Sequence, residues 1–459
     1  MNTQATHPYS SISSAFIPAR TEPKKLLGFL AFMLVLLTVL FDINAATYLL
    51  MGTTSIGSPL ILAACILAYI GFQFRFATSL GRCGIYLVVF YLVYLVFGSV
   101  IRLTKFSDLT VYQTAYFLKM YGASVVIMLA TALGSRYVVL AHSFKYLVAI
   151  AFSILILQVF AVFSGQVLGA SMYSSNIDES SKKILESGRA FGLFANPNTT
   201  GMAMAMTIAI GFSLLIETKR LRVVVAACMA LALIATVLTY SRSSVFAVIV
   251  LMFAQIPISP LVKSKSVAAL SLMGLGITIW FVLGGYKTTM DLNKHQADRM
   301  ASFGQIVAGD VSDENTGSRF VVAAHGLKYW MKSPIFGHGI GEGRRVTLGM
   351  RAGEGLGPHN TFISVLIDSG IPGILAFGTA LVSIVYAGWR TKHPGIRTLV
   401  LGVWVVYICD CMVSHNVVEN NLSAALMGMA FGAMAAASQL DKKTRLSKRI
   451  VQPAPMFAS

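Results

Sequence analysis

Apolar residues along this chain form long runs separated by short polar stretches. A run of roughly 17 to 25 mostly apolar residues can cross the hydrocarbon core of a bilayer as a helix. Twelve runs are long enough when their flanks are included, and the pattern predicts an all-α, polytopic integral membrane protein with about 12 transmembrane helices. The runs lie at residues 26–41, 58–74, 84–101, 120–134, 146–164, 199–216, 223–239, 243–258, 267–285, 371–389, 398–413 and 421–439.

The composition supports this prediction. Of 459 residues, 56% are hydrophobic and only 12% are charged, whereas a soluble globular protein carries about 25% charged residues. Soluble multidomain enzymes are therefore excluded. The five cysteines show neither disulfide-framework nor zinc-site spacing. The outer loops contain no Asp-Xaa-Asp pair, and no His-Glu cluster has the spacing of metal ligands. The sequence therefore does not suggest a metal site.

The net charge of +18 follows the predicted topology. With the N-terminus inside, the inside segments hold 20 lysines and arginines and the short outside loops hold seven. Basic residues concentrate in cytoplasmic loops, so this bias predicts an even number of spans with both termini in the cytoplasm. Most of the basic excess is thereby explained without a nucleic-acid partner.

Two outside segments are longer than a connection requires, and such segments usually carry function. We therefore expect the chemistry on the outer face. The predicted organisation is a cytoplasmic N-terminal tail at 1–25, helices 1 to 9 within 26–285 with an outer loop at 164–198, a large outer loop at 286–370, helices 10 to 12 within 371–439, and a basic cytoplasmic tail at 440–459.

The first candidate motif is the stretch from Gly188-Arg189 to Asn196-Pro197-Asn198, before the sixth apolar run. Asn-Pro-Asn is a turn and capping sequence, so Asn198 or Thr199 could start a helix whose free amides attract an anion. Arg189 adds a planar fork of donors that suits phosphate oxygens. The alternative is a simple cap beside an interfacial arginine.

A second motif is the polar hinge Thr239-Tyr240-Ser241-Arg242-Ser243-Ser244 between two apolar runs. An arginine in so short a turn either extends its side chain to lipid headgroups or points into the bundle, where it needs an anionic partner. The sequence leaves both alternatives open.

A third motif lies in the large outer loop and ends at Pro358-His359-Asn360, where another apolar helix begins. Arginines cluster upstream of His359, and its imidazole can be neutral and accept a proton near pH 7. A glycine-rich run, Gly337-His338-Gly339-Ile340-Gly341, precedes it. That run is also consistent with a simple turn, because no strand precedes it to suggest a nucleotide fold.

Asp410 is interpreted as the one acid well within an apolar run. An acid inside a membrane is a functional candidate by default, with His415 one turn further on as a partner. The alternative is a structural pair with a nearby arginine.

In order and spacing, these motifs resemble the bacterial O-antigen ligase and O-antigen polymerase family. The resemblance covers roughly residues 188–375, while the first 160 residues share only a hydrophobic pattern. It rests on the following residues: Gly188-Arg189, Asn196-Pro197-Asn198, Ser241-Arg242, Arg319 with Trp330 and Pro334, Gly337 to Gly341, Pro358-His359-Asn360, and Asp368-Ser369-Gly370-Ile371-Pro372-Gly373.

The resemblance implies a GT-C-like, all-helical glycosyltransferase of the bacterial inner membrane whose active site faces the periplasm. Such an enzyme takes a glycan from undecaprenyl diphosphate without metal, cofactor or nucleotide sugar. It transfers the glycan to lipid A core, to another carrier-linked glycan, or to a protein.

The resemblance also implies roles for individual residues. His359 would be the catalytic base, and Arg189 and Arg319 would bind the donor diphosphate, with Arg299 as a competitor for the position of Arg319. The supporting residues would be Arg242, Asn198, Asn360, His338 and Asp410.

Three functions follow from these observations. We expect a ligase acting on lipid A core, and a repeat-unit polymerase is the alternative within the family. A secondary transporter or flippase is the alternative from another class, since twelve spans suit it. Transporters place binding residues near the bilayer midplane, whereas the polar motifs here gather on the outer face.

Overall fold

A computed structural model of the chain describes most of the predicted spans and the polar motifs beside them. The described residues are 23–40, 57–72, 76–104, 108–164, 189–258 without 191 and 195, 319–345, 358–414 and 417–451, with a few single positions between 276 and 305. Within these ranges the chain is helical with short turns and contains no strand.

The helices are named here in chain order. They are α1 (Pro23–Leu40), α2 (Gly57–Phe72), α3 (Phe76–Leu92), which continues through a π-helical turn (Val93–Phe97) into α4 (Gly98–Leu103), α5 (Asp108–Ala141), α6 (Phe144–Ser164), α7 (Pro197–Glu217), α8 (Arg222–Leu238), α9 (Arg242–Ile258), α10 (Arg319–Trp330), α11 (Glu342–Arg345), α12 (Thr361–Arg390), α13 (Pro394–Val413) and α14 (Asn421–Val451), with a short 3₁₀ turn at Val417–Glu419.

The all-α, polytopic membrane fold is confirmed. In the described part of the chain, seven helical segments are long and apolar enough to cross a membrane, and α8 and α9 are shorter apolar helices. Eleven of the twelve predicted runs coincide with described helices. The remaining run, 267–285, lies outside the described residues apart from one position.

Helix α7 lies at the centre of the second half of the bundle. It packs against α6, α8, α9 and α13, and its sequence Gly-Met-Ala-Met-Ala-Met presents small and flexible side chains on every face. Nearly all of its residues are buried. A helix that is apolar all round is expected in such a position.

Glycines allow the closest helix contact in the other half of the bundle. Helix α14 packs along α5, and a methyl group on Gly432 would overlap the carbonyl oxygen of Ala132. Gly428 meets Met128 in the same way. Small residues let two backbones approach, which is how membrane helices gain packing energy without a hydrophobic driving force.

Helix α12 begins at Thr361, ten residues before the apolar run that predicted it. The added first turns contain Ser364, Asp368 and Ser369, all buried against other helices. The helix changes direction at Gly370, which has a positive φ of 60° and is followed by Pro372 inside the helix. Asp410 is therefore not the one acid inside an apolar helix, because Asp368 also lies in one.

Candidate active site

Arg189 is held in a buried corner at the start of α7. Its side chain is 7% exposed. Its Nε donates to the carbonyl oxygen of Thr239 at 2.9 Å, and its Nη2 donates to Oδ1 of Asn198 at 2.8 Å. The backbone of Ala190 also donates to Leu238. Contacts on both sides fix the position of this positive charge.

The N-terminus of α7 has the capping geometry that the Asn-Pro-Asn sequence suggests. Asn196 is the cap, and its Oδ1 accepts from the amide of Asn198 at 2.8 Å. The helix begins at Pro197, ahead of the predicted start at Asn198 or Thr199, because proline at the first position has no amide to leave unpaired. Positive charge from Arg189 and the positive end of the helix dipole therefore coincide.

The hinge between α8 and α9 supports the same corner. Tyr240 has a positive φ of 49°, so the chain reverses within very few residues. The hydroxyl of Ser244 donates to Ser241 Oγ at 2.9 Å and to the carbonyl of Asn198 at 3.4 Å. Arg242 is partly exposed, and its Nη1 donates to Ser302 Oγ at 3.3 Å.

His359 and Asn360 lie where α12 meets the end of α13. Oδ1 of Asn360 accepts from the amide of Ile363 at 3.1 Å and caps α12. The Asn360 amide group and the hydroxyl of Thr361 donate to the carbonyls of Met412 and Ser414. His359 itself has a positive φ of 47°, a conformation that costs a residue other than glycine about 1 to 3 kcal/mol. Such strain is commonly found at functional positions.

The surroundings of His359 keep its imidazole neutral. Burial lowers the pKa of His359 to about 4, and the nearby positive charge of Arg319 lowers it further in the same direction. At pH 7 the ring is therefore uncharged and has a nitrogen lone pair. Arg319 is the first residue of α10, so α10 sets its distance from His359. The competitor Arg299 lies outside the described residues.

The residues around Arg189 and the residues around His359 form two clusters, and both clusters lie at one end of the bundle. Helices α7 and α13 pack side by side. Ser213, near the end of α7, donates to Gly395, near the start of α13, at 2.8 Å. A Cβ on Gly402 would lie 3.3 Å from Ala209, so the two helices are antiparallel. This pairing places the start of α7 beside the end of α13, which already contacts Asn360.

The glycine-rich run bridges α12 and α4. Gly337, Gly339 and Gly341 have positive φ values of 74°, 99° and 81°, which only glycine adopts at little cost. The amide of Gly339 donates to the carbonyl of Asp368 at 2.9 Å, and the amide of Ile340 donates to Gly98 at 2.9 Å. Backbone hydrogen bonds therefore attach the glycine-rich run to α12 and to α4.

The carboxylate of Asp368 anchors this glycine-rich run, although the sequence motifs assigned Asp368 no role in the site. Its carboxylate accepts from the amides of Gly341 and Gly343 at 3.0 and 2.7 Å, and from the hydroxyl of Tyr94. Asp368 belongs to the motif Asp368 to Gly373, but the hydropathy pattern placed it in a loop. The signal that could have identified it was an acid between the apolar stretches Phe362–Ile367 and Ile371–Phe377.

A buried ion pair completes the bridge. Nη1 of Arg102 lies 3.2 Å from Oε1 of Glu342, and the Arg102 side chain is 2% exposed. Arg102 also donates to the carbonyl of Ile340, and its guanidinium lies 5.6 Å from the Phe117 ring centre. No local pattern predicts this pair, because the two residues are 240 positions apart.

His338 has a different environment from His359. Its ring is 8% exposed and lies 4.1 Å, centre to centre, from the ring of Tyr329. Its Nε2 donates to the carbonyl oxygen of Tyr329 at 2.9 Å. These contacts assign His338 to the packing of the bridge.

Asp410 is buried in α13, one turn before the contact with α12. Its side chain is 8% exposed, and its carbonyl accepts from the amide of Ser414 at 2.8 Å. The predicted partner His415 lies outside the described residues. No group of three His, Cys, Asp or Glu side chains in the described segments is placed to hold a metal ion.

Part of the chain matches a known protein family. No curated protein matches the chain. Residues 227–378 match the family model described as O-Antigen ligase. The match includes Arg242, Arg319, His338, His359 and Asn360, while Arg189, Asn198 and Asp410 lie outside it. The predicted resemblance is confirmed over this range: residues 227–378 carry the domain of the O-antigen ligase family.

Proposed function

We propose that the protein is an inner-membrane glycosyltransferase that moves an oligo- or polysaccharide from undecaprenyl diphosphate to lipid A core on the periplasmic face. In this proposal both termini are cytoplasmic and the clusters around Arg189 and His359 form the active site. The O-antigen ligase domain and the polytopic helical fold support this reaction class. The observation that carries the proposal is His359, held in a left-handed conformation just before α12, with the charge of Arg319 at the start of α10 close enough to act on its imidazole.

The donor side of the proposal rests on positive charge at fixed positions. As the glycosidic bond breaks, the diphosphate leaving group gains negative charge. Arg189, the start of α7 and Arg319 would stabilise that charge without moving. Fixed charges in a region of low dielectric act more strongly than exposed ones, so these arginines could serve in place of a divalent cation.

The acceptor side rests on His359. An acceptor hydroxyl oxygen forms the new bond to the anomeric carbon of the donor sugar. The bond from that carbon to the diphosphate oxygen breaks, its electron pair leaves with the diphosphate, and the hydroxyl proton passes to the imidazole. A bound diphosphate would offset the charge of Arg319 and raise the pKa of His359. Donor binding would thereby make His359 a stronger base.

The direct test uses the full chain purified in detergent with an undecaprenyl-diphosphate oligosaccharide. One reaction contains lipid A core, a second has no added acceptor, and both contain a metal chelator. We expect glycan on lipid A in the first reaction and release of undecaprenyl diphosphate. Each product is identified by mass spectrometry.

The second reaction separates the alternatives. A carrier-linked glycan that becomes longer without lipid A would establish a polymerase in place of a ligase. If neither product forms, the protein is reconstituted in proteoliposomes and the undecaprenyl-diphosphate oligosaccharide is placed in one leaflet. Its movement to the other side would support a flippase and reject the glycosyltransferase proposal.

A further inference from the structure

Helix α10 exposes an apolar face. Phe320, Ala324, Leu327 and Met331 recur at intervals of three and four residues and therefore share one side of the helix and its C-terminal extension. This set is called the α10 apolar face. Phe320 is 59% exposed and Met331 is 61% exposed. In a water-soluble region, such a contiguous apolar stripe would be unfavourable.

The opposite side of α10 is held against the membrane bundle. Gly326 is buried, and a Cβ on it would lie 3.0 Å from Ile363 and 3.3 Å from Ile367, both in the first turns of α12. On a helical wheel, Gly326 lies on the far side from Phe320 and Met331. The α10 apolar face consequently points away from the protein at the depth where α12 begins.

The apolar surface continues from α10 onto the sides of two spanning helices. Ile335 and Phe336, just beyond α10, are both more than half exposed. The Phe336 ring lies 6.0 Å from the ring of Phe97, within the candidate span Gly84–Leu103. Next to Phe97, Val96 is also exposed. An exposed valine on a membrane-spanning helix is expected to face lipid, so the exposed surface of Phe336 adjoins a surface suited to acyl chains.

The exposed apolar surface also continues from the segment after α10 onto α12. The amide of Ile371 in α12 donates to the carbonyl of Pro334 at 3.2 Å, which places the segment after α10 directly on α12. Four residues further along α12, Leu375 is 64% exposed in the middle of an apolar helix. The exposed surfaces of Ile335, Ile371 and Leu375 therefore follow one another toward the bilayer.

Charge at the border of the α10 apolar face fits a membrane surface. Lys328 is exposed on one edge, and Lys332 is exposed with its Nζ 5.6 Å from the Tyr329 ring centre. A helix with an apolar face bordered by lysines binds the headgroup and acyl-chain boundary of anionic bilayers. A protein partner would not explain the continuity with lipid-facing helices.

We propose that α10 lies in the interface of the leaflet on the side of His359. Its apolar face, with Ile335 and Phe336, inserts among the acyl chains of the membrane phospholipids. The polar ends of α10 then remain at headgroup level. This places Arg319, the first residue of α10, at the depth of lipid phosphates.

The test uses the full chain with p-benzoylphenylalanine incorporated at Phe320 or, separately, at Met331. Each variant is reconstituted in vesicles of phosphatidylethanolamine and phosphatidylglycerol and irradiated. We expect a mass increase of one phospholipid, with a yield like that of the same probe at Leu375. The probe at Lys219, in the exposed turn after α7, is the matched water-facing control.

Two outcomes would overturn the proposal. A yield at Phe320 and Met331 as low as at Lys219 would show that the face does not contact lipid. Cross-linked dimers on a denaturing gel would show that a second copy of the chain covers it. Glycan transfer is not part of the measurement, so the result is independent of the proposed function.

Discussion

At the scale of single residues, the left-handed backbone of His359 allows a clean substitution. Asparagine adopts this conformation more readily than most residues, so His359→Asn keeps the turn and removes the proton acceptor. We expect transfer to fall by about 10² to 10⁴-fold, the usual contribution of a general base. Product formation is measured by mass spectrometry, and thermal unfolding in detergent checks that the variant is folded.

The control for this variant is His142→Asn. His142 lies between α5 and α6, next to the end of the bundle where Phe144 contacts His393. His393 precedes the start of α13, whereas the candidate active site lies at the end of α13. The control variant should transfer glycan at the normal rate, and an active His359→Asn enzyme would rule out the proposed base.

Arg319 affects the titration of His359, so its charge can be tested separately. The arginine lowers the pKa of His359, so Arg319→Gln should raise that pKa from about 4 toward its ordinary value. Diethylpyrocarbonate reacts with a neutral imidazole and not with a protonated one, and the peptide modified at His359 can be quantified across pH. In the unaltered chain, modification should persist to about pH 4 and disappear below it.

In Arg319→Gln, loss of modification should begin at a higher pH as the solution is acidified. Lys328→Gln, in which an exposed charge of the same helix is removed, is the matched control. The same inflection in all three proteins would mean that Arg319 has no electrostatic contact with His359.

At the scale of elements, the bridge between α4 and α12 depends on the Arg102–Glu342 pair. Removing one partner leaves a buried charge without compensation, which costs about 3 to 5 kcal/mol. We expect Arg102→Met and Glu342→Gln each to lower the unfolding temperature clearly. The double variant should be more stable than the sum of the two losses predicts.

A thermal unfolding series of the four proteins in one detergent measures this coupling. Strict additivity would show that the two residues do not stabilise each other. Lys332→Met is a suitable control, because this lysine is exposed and its loss should change the unfolding temperature little.

The sequence predicted which elements exist better than where they begin. Hydropathy identifies a span by its average apolar content, so the run at 371–389 was recognised. The first turns of α12 were missed because Ser364, Asp368 and Ser369 lower that average. Their polar groups bond inside the structure, for example from Ser369 Oγ to the carbonyl of Val365, and such tertiary compensation is not visible in a local pattern.

The candidate site was predictable only in part for a related reason. His359, Asn360 and Asn198 lie at helix starts, and capping sequences indicate such positions. Arg189 precedes α7 and reaches its start through the hydrogen bond to Asn198. Asp368 accepts hydrogen bonds from Tyr94, which is 274 positions away in the sequence, and from Gly343, which is 25 positions away. The long-range partner depends on how the helices pack, which no local motif encodes.

At the scale of the whole molecule, the antiparallel pairing of α7 and α13 places the polar clusters at one end and the basic turns at the other. Lys219, after α7, lies at the end opposite to Asn198, whereas Lys332, after α10, lies on the side of His359. The excess of basic residues in the predicted inside segments predicts that the Lys219 end is cytoplasmic. The active-site end would then face the periplasm.

This orientation predicts opposite labelling of two engineered cysteines in intact cells whose outer membrane has been made permeable. Lys332→Cys should react with a membrane-impermeant maleimide from outside, because the side chain is exposed. Lys219→Cys should react only after the inner membrane is opened. The unaltered chain measures background from its own cysteines, several of which are buried. The reverse labelling pattern would place His359 in the cytoplasm, away from any periplasmic donor, and the proposed reaction could not occur there.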